Sequence, residues 1–596
     1  MNQNNYEWVM FGKTMFYTDG TTCTDIEVID NAKTVSFIYP IFRIDRNTCQ
    51  KVFSSVENLV IEKNVSSIII PNKMFPNVKK VESKSSNFMT GKYLIEKTGM
   101  RLLNAFGQNE DEAIDFTQFS RIENYAFEGC KAKKAVGLDE MEIAQVKNAA
   151  FDNSGFLDQP FVDGIKCLGP FIIDIDETAD EIVLPKEEIY YCVPKRPKNS
   201  VRVPNLNAFG AMRKFPKKVI IEDENINYDD ALLYKMYTSE IVEIESRISR
   251  YKTVDGIVYS ADMKTLILCP MGKTGVVKIP DGVTRIRQNA FSNAKISKVI
   301  FPDSLVSLHN ESFNGCENLK EIDFGNGIEQ IGGDYDQYIF SGCAVEKLVF
   351  PPQVKKIGIN AFFLCDELRE VVFNEGLEII REGAFKNCPK LTEINLPASI
   401  KKVGPGAFLC ETLREGIQDV DINMSTIPKD FGRAVTHPGY KQTPRCVNVH
   451  IDNQNGIYDF VIPDCVSTVT AGYPDIISAF SLMADYDKKY WRLKCLKTAF
   501  MHASNSNFKY VDAFKTYKRT KNESAKKYLF DDRKRAAEAI IMELTEKDFV
   551  DFLKLEFISL GYDEDLAKRL REQNWNVALA YMLEEGNHNK YDALVI

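Results

Sequence analysis

Histidines, cysteines and acidic clusters are the residues of this chain that could do chemistry, and their spacing argues against catalysis or metal binding. No two of the five histidines form an HExxH pair or another metal-ligand spacing. The fourteen cysteines include no CxxC pair, which is the spacing typical of zinc and thioredoxin-like redox sites. The acidic run at 174–181 lacks the mid-loop glycine of an EF-hand and is interpreted as a hairpin turn. We therefore predict no catalytic residue, no metal and no cofactor, and we expect the protein not to be an enzyme.

Length, composition and charge place the chain among ordinary globular proteins. With 596 residues it exceeds a single hydrophobic core, so we expect several domains or one long repeat array. Apolar residues make up 44% and charged residues 27%, which is not the composition of a disordered chain. The net charge of −9 disfavours non-specific nucleic-acid binding by the whole molecule.

The first residues carry no familiar targeting signal. They read MNQNNYEWVMFGKTMFYTDG, without the basic start and apolar run of a signal peptide. Elsewhere no stretch reaches the ~18 apolar residues that a membrane helix needs. We therefore expect no membrane association and a cytoplasmic location, with the cell surface as the alternative.

A phenylalanine recurs at a nearly fixed interval through the middle of the chain. The spacings are 22, 27, 22, 23 and 23 residues, between Phe291, Phe313, Phe340, Phe362, Phe385 and Phe408. In four of these units a cysteine follows three residues later, at Cys316, Cys343, Cys365 and Cys388. Such a period is typical of solenoids, whose stacked coils bury a face that one coil cannot bury alone. We therefore predict that the recurring Phe and Cys are buried packing positions, which argues against any of these thiols as a nucleophile.

The unit at 345–365, VEKLVFPPQVKKIGINAFFLC, shows the pattern most clearly. Leu348 and Phe350 alternate with polar or exposed positions and precede Pro351, which predicts a short strand ended by proline. These residues resemble the BspA-type leucine-rich repeat, whose units read LxxIxIPxxVxxIgxxAFxxC. The resemblance is specific over 254–410 and weaker upstream, although RIENYAFEGC at 121–130 has the full ending.

The resemblance implies a right-handed solenoid of short strands and turns. Three segments resemble the family's hairpin insertions, at 91–95, 163–167 and 254–260. Together with a helical tail, the expected fold class is α+β, mostly β. The predicted domains are irregular N-terminal repeats at 1–250, regular BspA-type repeats with a C-terminal cap at 251–470, and an α-helical domain at 475–596.

Alternation along the repeat strands predicts that one set of side chains is buried and that the other set faces outward. The inward set is Val299, Phe301, Ile322, Phe324, Leu348, Phe350, Val371, Phe373, Ile394 and Leu396. The outward set, our candidate partner-binding face, is Lys298, Ile300, Glu321, Asp323, Lys347, Val349, Glu370, Val372, Glu393 and Asn395. Apolar outward residues rimmed by charge are typical of an interface. The alternative is a solvated charge ladder with β-branched residues that only favour strands.

The 27-residue unit carries extra residues around 333–337, in GGDYDQY. Insertions in solenoids loop out from one face and often contact partners, which makes Asp334, Tyr335 and Asp336 a candidate binding loop. The alternative is a tolerated surface loop.

Helical periodicity replaces the strand rhythm after Pro474. We predict helices at 475–503, 522–544 and 546–560, with Thr545 as an N-cap, and a last pair of helices over about 563–585. Residues 565–584 resemble an ankyrin-type helix–turn–helix and, weakly, a ubiquitin-associated domain. Residues 488–535 contain fifteen Lys or Arg against four Asp or Glu, interleaved with aromatics, which is one footprint of nucleic-acid contact. The alternative is that the aromatics form a helical core and that the basic face pairs with the acidic remainder of the protein.

The pattern favours a non-enzymatic scaffold that binds a protein partner on the repeat sheet. Relatives of this type are often bacterial surface proteins, so an exported adhesin is one alternative. An intracellular sensor and a nucleic-acid-associated factor using the basic tail are the others.

Overall fold

The computed structural model divides the chain into two compact units, Met1–Thr253 and Val254–Ile596. It describes residues 6–141, 145–187, 190–193, 195–204, 215–224, 240–411, 418–439, 445–454, 456–467, 472–485, 495–558, 560 and 563–592. Each unit is built from short strands joined by tight turns.

The strands of the first unit follow in chain order. They are β1 Glu7–Phe11, β2 Thr14–Thr18, β3 Thr22–Val28, β4 Thr34–Phe37, β5 Ile41–Arg43, β6 Asn58–Ile61, β7 Ser67–Ile69, β8 Lys80–Ser83, β9 Leu94–Glu96, β10 Arg101–Asn104, β11 Ala113–Asp115, β12 Arg121–Ile122, β13 Lys134–Val136, β14 Ile165–Leu168, β15 Phe171–Ile175, β16 Glu181–Val183, β17 Tyr190–Tyr191, β18 Ser200–Val203, β19 Lys218–Ile221 and β20 Glu243–Ser246. Strand β21, Tyr251–Val254, spans the boundary between the units.

Parallel pairing one coil apart makes the first unit a stack of coils. Strands β4, β6 and β8 pair in parallel, as do β16, β18, β19 and β20. The rings of Phe127 and Phe151 stack at 5.3 Å, as the repeat endings predict. The hairpin insertions expected near 91–95 and 163–167 are confirmed as the antiparallel pairs β9–β10 and β14–β15. An antiparallel meander of β1, β2 and β3, which the sequence interpretation missed, opens this unit.

The second unit continues the strands. They are β22 Ile257–Ser260, β23 Thr265–Leu268, β24 Gly275–Lys278, β25 Arg285–Ile286, β26 Ile296–Ile300, β27 Ser307–Leu308, β28 Glu321–Asp323, β29 Gln330–Ile331, β30 Lys347–Val349, β31 Lys356–Ile357, β32 Glu370–Val372, β33 Ile379–Ile380, β34 Glu393–Asn395, β35 Lys402–Val403, β36 Val420–Met424, β37 His437–Pro438, β38 Cys446–Asn453, β39 Gly456–Pro463 and β40 Cys465–Val466. The third predicted hairpin insertion is confirmed as β22–β23.

Two walls of strands, parallel except for the β38–β39 hairpin, enclose the core of the second unit. One wall contains β24, β26 and β28, then β30 and β32, then β34, β36, β38 and β39; the other contains β25 and β27, then β29, β31, β33 and β35. The predicted inward residues point into this core, where Ile322 and Phe373 are only partly buried and the other eight are buried. The solenoid predicted from the repeat is therefore confirmed.

Stacked phenylalanine rings run along the core. Their centroids are 4.5, 4.9, 5.3, 5.5 and 6.0 Å apart from Phe291 to Phe408, with interplanar angles of 20° or less. The cysteine column lies beside them: each thiol donates to the carbonyl of a Phe in an earlier coil, for example Cys365 Sγ to Phe340 O at 3.3 Å. These contacts confirm that the recurring Phe and Cys are packing positions.

Backbone geometry explains the residue between Phe and Cys in each ending. The position two residues after the Phe has a left-handed φ in five coils, at Asn293, Gly315, Gly342, Leu364 and Asn387. Glycine and asparagine tolerate this conformation best, which accounts for the recurring NGC, SGC and KNC endings. A Cβ at Gly315 would lie 2.4 Å from Asn293 Oδ1, so the Asn293 side chain would have to move if Gly315 were replaced.

Helices follow the strands. They are α1 Phe431–Val435, α2 Gly472–Asp485, α3 Ser506–Thr520, α4 Glu523–Asp531, α5 Arg533–Glu543, α6 Glu546–Leu553, α7 Glu564–Glu572 and α8 Asn576–Asp592. Thr545 caps α6 with a reciprocal bond to Asp548, as predicted.

Two helix predictions were wrong in detail. The single helix expected at 522–544 is broken at Asp532, which leaves helical geometry (φ −137°, ψ 50°) and accepts a hydrogen bond from the Tyr510 hydroxyl. The helix α3 was missed, because its start at Asn505 lies just beyond the predicted helix 475–503. Part of that prediction, 486–494, lies outside the described residues.

Candidate interaction surface

The outward columns lie on the wall of β26, β28, β30, β32 and β34. Backbone register places Lys298 beside Glu321 and Ile300 beside Asp323, and likewise Lys347 beside Glu370 and Val349 beside Val372. Of the ten candidate residues, Lys298 and Ile300 are half-buried and the others are exposed. The structure therefore brings these residues onto one face, which we call the sheet face.

The charged column of the sheet face pairs within itself. Lys298 Nζ lies 2.7 Å from Glu321, and Lys347 Nζ lies 2.7 Å from Glu370. The hydrogen bond to Glu321 raises the pKa of Lys298. Exposed pairs of this kind contribute little to stability, so these residues remain available to rearrange around a partner.

Two exposed apolar side chains lie beside the charged column. Val349 is 52% exposed and Val372 is 40% exposed, although both are large β-branched residues in regular strands. Next to them the surface sinks into a depression of about 400 Å³, which is lined by Arg369, Glu370, Val371, Val372, Phe373, Thr392, Glu393 and Asn395. A recess that combines apolar walls with a charged rim can accept a protruding side chain.

Helix α3 covers the end of this same face. Glu393 is in register with Asp421 of β36, and Arg519 Nη1 of α3 lies 2.6 Å from the Asp421 carboxylate. Nearby, Lys515 Nζ lies 2.7 Å from Asp419. The open sheet face is thus bounded by a helix at its C-terminal end. Sequence reasoning missed this contact, although the alternating Asp419 and Asp421 continue the outward column and could have indicated it.

A buried charged cluster fastens helix α3. Asp512 is buried and its Oδ1 accepts a hydrogen bond from the Cys446 thiol at 3.0 Å. Lys515, Asp419 and Asp464 are the charged groups around it. Burial raises the pKa of Asp512 from its ordinary value of 3.8 to about 7. Burial also raises the pKa of the Cys446 thiol.

The high pKa of Asp512 makes part of the stability pH-dependent. Because the folded carboxyl holds its proton up to about pH 7 and the unfolded one releases it near 3.8, its contribution is complete at low pH. That contribution is lost as pH rises through about 7. We expect Asp512→Asn, which stays neutral, to gain stability relative to wild type between about pH 5 and pH 8.

Urea unfolding at both pH values measures this difference. Asp421→Asn is the matched control, because Asp421 contacts the same helix but its side chain is 43% exposed. A difference between Asp512→Asn and wild type that does not change with pH would contradict the assignment.

The candidate loop is anchored and lies beside the other wall. It follows β29, and Arg381 binds the carbonyl and carboxylate of Asp334. Asp336 accepts hydrogen bonds from the backbone N–H groups of Asn310 and Gly333. Both acids therefore hold the loop, while Tyr335 is 89% exposed. The loop does not join the sheet face.

Basic residues of the helical tail form ion pairs within the second unit. Besides Lys515 and Arg519, Lys518 Nζ lies 2.6 Å from Asp551. Phe508, Tyr510 and Phe514 are buried, and Tyr517 packs against the same helical core. This arrangement matches the alternative in which the aromatic residues form a helical core and the basic residues pair with acidic residues of the same protein. The remaining part of the predicted stretch, 488–494, lies outside the described residues.

No group of His, Cys, Asp or Glu among the described residues is arranged to hold a metal ion. No helix among them has the length and apolar character required to cross a bilayer.

The profile of the BspA-type leucine-rich repeat region matches residues 42–165, 103–185, 273–335 and 334–429, which together span half of the chain. The chain therefore belongs to the BspA-type leucine-rich repeat family. No protein of curated function matches it.

Several solved structures of bacterial proteins align with the chain at low identity and low TM-score. A leucine-rich cell surface protein from Faecalibacterium prausnitzii is 19% identical over 65% of this chain and 94% of its own, with a TM-score of 0.27. A leucine-rich repeat protein from Eubacterium ventriosum is 16% identical over 66% and 91%, with a TM-score of 0.28. The pneumococcal vaccine antigen PcpA is 16% identical over 67% and 93%, with a TM-score of 0.18.

Proposed function

We propose that this protein is a non-enzymatic scaffold that binds a protein partner on the sheet face. The observation that carries the proposal is the exposed pair Val349 and Val372, which stands beside a charged depression in an otherwise regular wall. Leucine-rich repeat proteins generally act by protein interaction, and their fold is typically non-catalytic. Solenoids present extended surfaces of this type to partners.

The physical argument rests on desolvation. Two exposed valines contribute binding free energy when a partner removes their apolar area from water, at about 25 cal/mol per Å². The surrounding Lys347–Glu370 pair can exchange its internal contact for contacts with the partner, which adds specificity. Glu393 and Asn395 at the rim of the depression would orient an inserted side chain.

We expect Val349→Asp combined with Val372→Asp to abolish capture of the principal partner. Each change places a charge in the centre of the proposed interface, where it loses its hydration on binding. The measurement is affinity purification of the full chain from its own cells followed by mass spectrometry, with wild type and variant compared at equal yield.

The matched control combines Val306→Asp with Val577→Asp. Both valines are 64% exposed and lie outside the sheet face. The control should capture the same proteins as wild type. If the double variant on the sheet face also retains every captured protein, the sheet face is not the binding site.

We also propose a cytoplasmic site of action. The fourteen cysteines, which all lie among the described residues, are thiols and not disulfides, and twelve of them are buried. Proteins of oxidising compartments instead tend to use cysteines as disulfides. Labelling of the protein on intact cells by a membrane-impermeant reagent would favour the surface adhesin instead.

A further inference from the structure

Helix α3 shows how this protein covers one part of its own repeat wall. Lys515 Nζ lies 2.7 Å from Asp419, directly before β36, and Arg519 Nη1 lies 2.6 Å from Asp421 within that strand. The two cations are four residues apart, which is about 6 Å along a helix, and the two acids are two residues apart, which is about 6.6 Å along a strand. Helix α3 therefore runs along β36 and presents one cation to each of these carboxylates.

The neighbouring strands β34 and β32 are open on the same side of the wall. Their outward residues Glu370, Val372, Glu393 and Asn395 are all exposed, whereas α3 packs on the far end of the wall at β39. Neighbouring helices pack with their axes about 8–10 Å apart, and two strand spacings amount to about 9.6 Å. A second helix that lay over β32 and β34 would therefore pack directly beside α3.

The backbone ladder of the wall is interrupted between these two strands. Parallel pairing joins β30 to β32 and β34 to β36, but it does not join β32 to β34, although all four strands are fully described. The depression of about 400 Å³ opens at this interruption, because its lining comes from both strands. We call this depression the gap.

The gap admits a side chain and not another strand. Backbone Cα atoms of β32 and β34 lie within 8 Å of each other. A strand inserted between them would require a separation of about 9.6 Å, which is twice the ordinary strand spacing. An occupant must therefore lie on top of the two strands and reach into the gap with its side chains.

Most charges around the gap are already neutralised by neighbours. The Glu370 carboxylate lies 2.7 Å from Lys347 Nζ. On the other rim, Arg369 Nη2 lies 3.9 Å from Glu367. These two pairs leave no net charge at the rim, so the remaining carboxylate of the gap determines which charge it attracts.

That remaining carboxylate is Glu393. Within the described part of the chain no lysine or arginine pairs with it, and its Oε1 accepts only the amide of Asn395, at 3.2 Å. In register with it on the next strand, Asp421 holds Arg519 of α3. The same outward column therefore has one carboxylate bound by an arginine from a helix and, one strand away, one carboxylate open to solvent.

We propose that the protein partner presents a basic amphipathic helix, which lies along β32 and β34 beside α3 and places an arginine on Glu393. The apolar side of this helix covers Val349 and Val372. The assignment rests on the proposed function of the sheet face, because it names the kind of segment which that face binds. An arginine fits because its planar guanidinium binds a carboxylate through two hydrogen bonds, and Arg519 already occupies the equivalent position at Asp421.

Photo-crosslinking from the gap tests the proposal. The full chain carries p-benzoylphenylalanine in place of Asn395, is irradiated in its own cells, and the peptides joined to it are identified by mass spectrometry. We expect a partner peptide in which arginine and apolar residues recur at three-to-four spacing, as on one face of a helix. The same crosslinker in place of Phe530, which is exposed on α4, is the control and should not capture that peptide. A crosslinked peptide without a basic residue, or with the alternation of a strand, would overturn the proposal.

A charge exchange tests the arginine. A synthetic peptide of the crosslinked segment is the probe, and fluorescence anisotropy measures its binding to the full chain. We expect Glu393→Lys to raise the dissociation constant by about tenfold or more, Glu393→Gln to raise it less, and an arginine-to-glutamate change in the peptide to restore binding to Glu393→Lys. Glu572→Lys is the matched control, because Glu572 is an exposed glutamate at the end of α7, and it should bind like wild type.

The outcomes separate this proposal from the proposed function. If Val349→Asp with Val372→Asp abolishes capture but Glu393→Lys leaves the dissociation constant of the peptide unchanged, the sheet face binds its partner without the arginine, and the proposal of a basic helix alone is wrong. If the valine variant retains every captured protein, the proposed function fails and the basic helix fails with it.

Discussion

Replacing Phe340 by alanine is expected to lower the free energy of unfolding by about 3–5 kcal/mol. The ring lies fully buried between those of Phe313 and Phe362, at 4.9 and 5.3 Å, and meets Phe324 edge-on at 6.0 Å. Truncation removes these contacts and leaves a cavity that neighbouring coils cannot close without shifting their own ladder positions. Urea unfolding monitored by circular dichroism measures the loss.

Phe530→Ala is the matched control for this prediction. Phe530 in α4 is 49% exposed, so its removal should cost less than about 1 kcal/mol. Phe340→Leu should retain part of the packing and fall between the two. Equal stabilities of Phe340→Ala and Phe530→Ala would mean that the stacked rings do not hold the coils together.

The repeat made much of the solenoid predictable from the sequence. The position of Phe340 is occupied by Phe in each neighbouring repeat, and that of Cys365 by Cys. A residue that recurs at a fixed interval contacts its copies when the coils stack. Alternation around Leu348 then fixed which side chains face inward. These are local signals, repeated several times, and they agree with one another.

The features that the sequence did not disclose depend on contacts between distant residues. The docking of α3 through Arg519 and Asp421 joins positions 98 apart, and each residue alone looks like an ordinary surface charge. Arg381 similarly holds Asp334 from 47 residues away, so a loop that looked free is anchored. The meander at the N-terminus has no repeat to mark it. The binding role of the sheet face stays a prediction, because exposure and charge do not identify a partner.

A buried arginine joins the last phenylalanine coil to the strands that follow it. Both the Arg445 and Asp464 side chains are only 2% exposed, with Arg445 Nη1 at 3.7 Å from the carboxylate. The same guanidinium donates to Phe408 O at 3.2 Å and to Gln418 O at 3.1 Å. The Arg445 guanidinium therefore contacts one buried carboxylate and donates to two backbone carbonyls at the point where the regular repeats end.

We expect Arg445→Met to cost about 3–5 kcal/mol, because it removes the cation that faces the buried Asp464 and the donor of two carbonyls. Arg519→Met is the matched control: its pair with Asp421 is closer, at 2.6 Å, but the side chains are 33% and 43% exposed, so its loss should cost less than about 1 kcal/mol. Asp464→Asn added to Arg445→Met should recover about 1 kcal/mol or more, since it removes the buried charge that Arg445 faced. Equal costs for the two arginine variants in urea unfolding would show that the buried contacts of Arg445 stabilise the fold no more than the exposed Arg519–Asp421 pair does. No recovery by Asp464→Asn would show that the charge of Asp464 is not what Arg445 offsets.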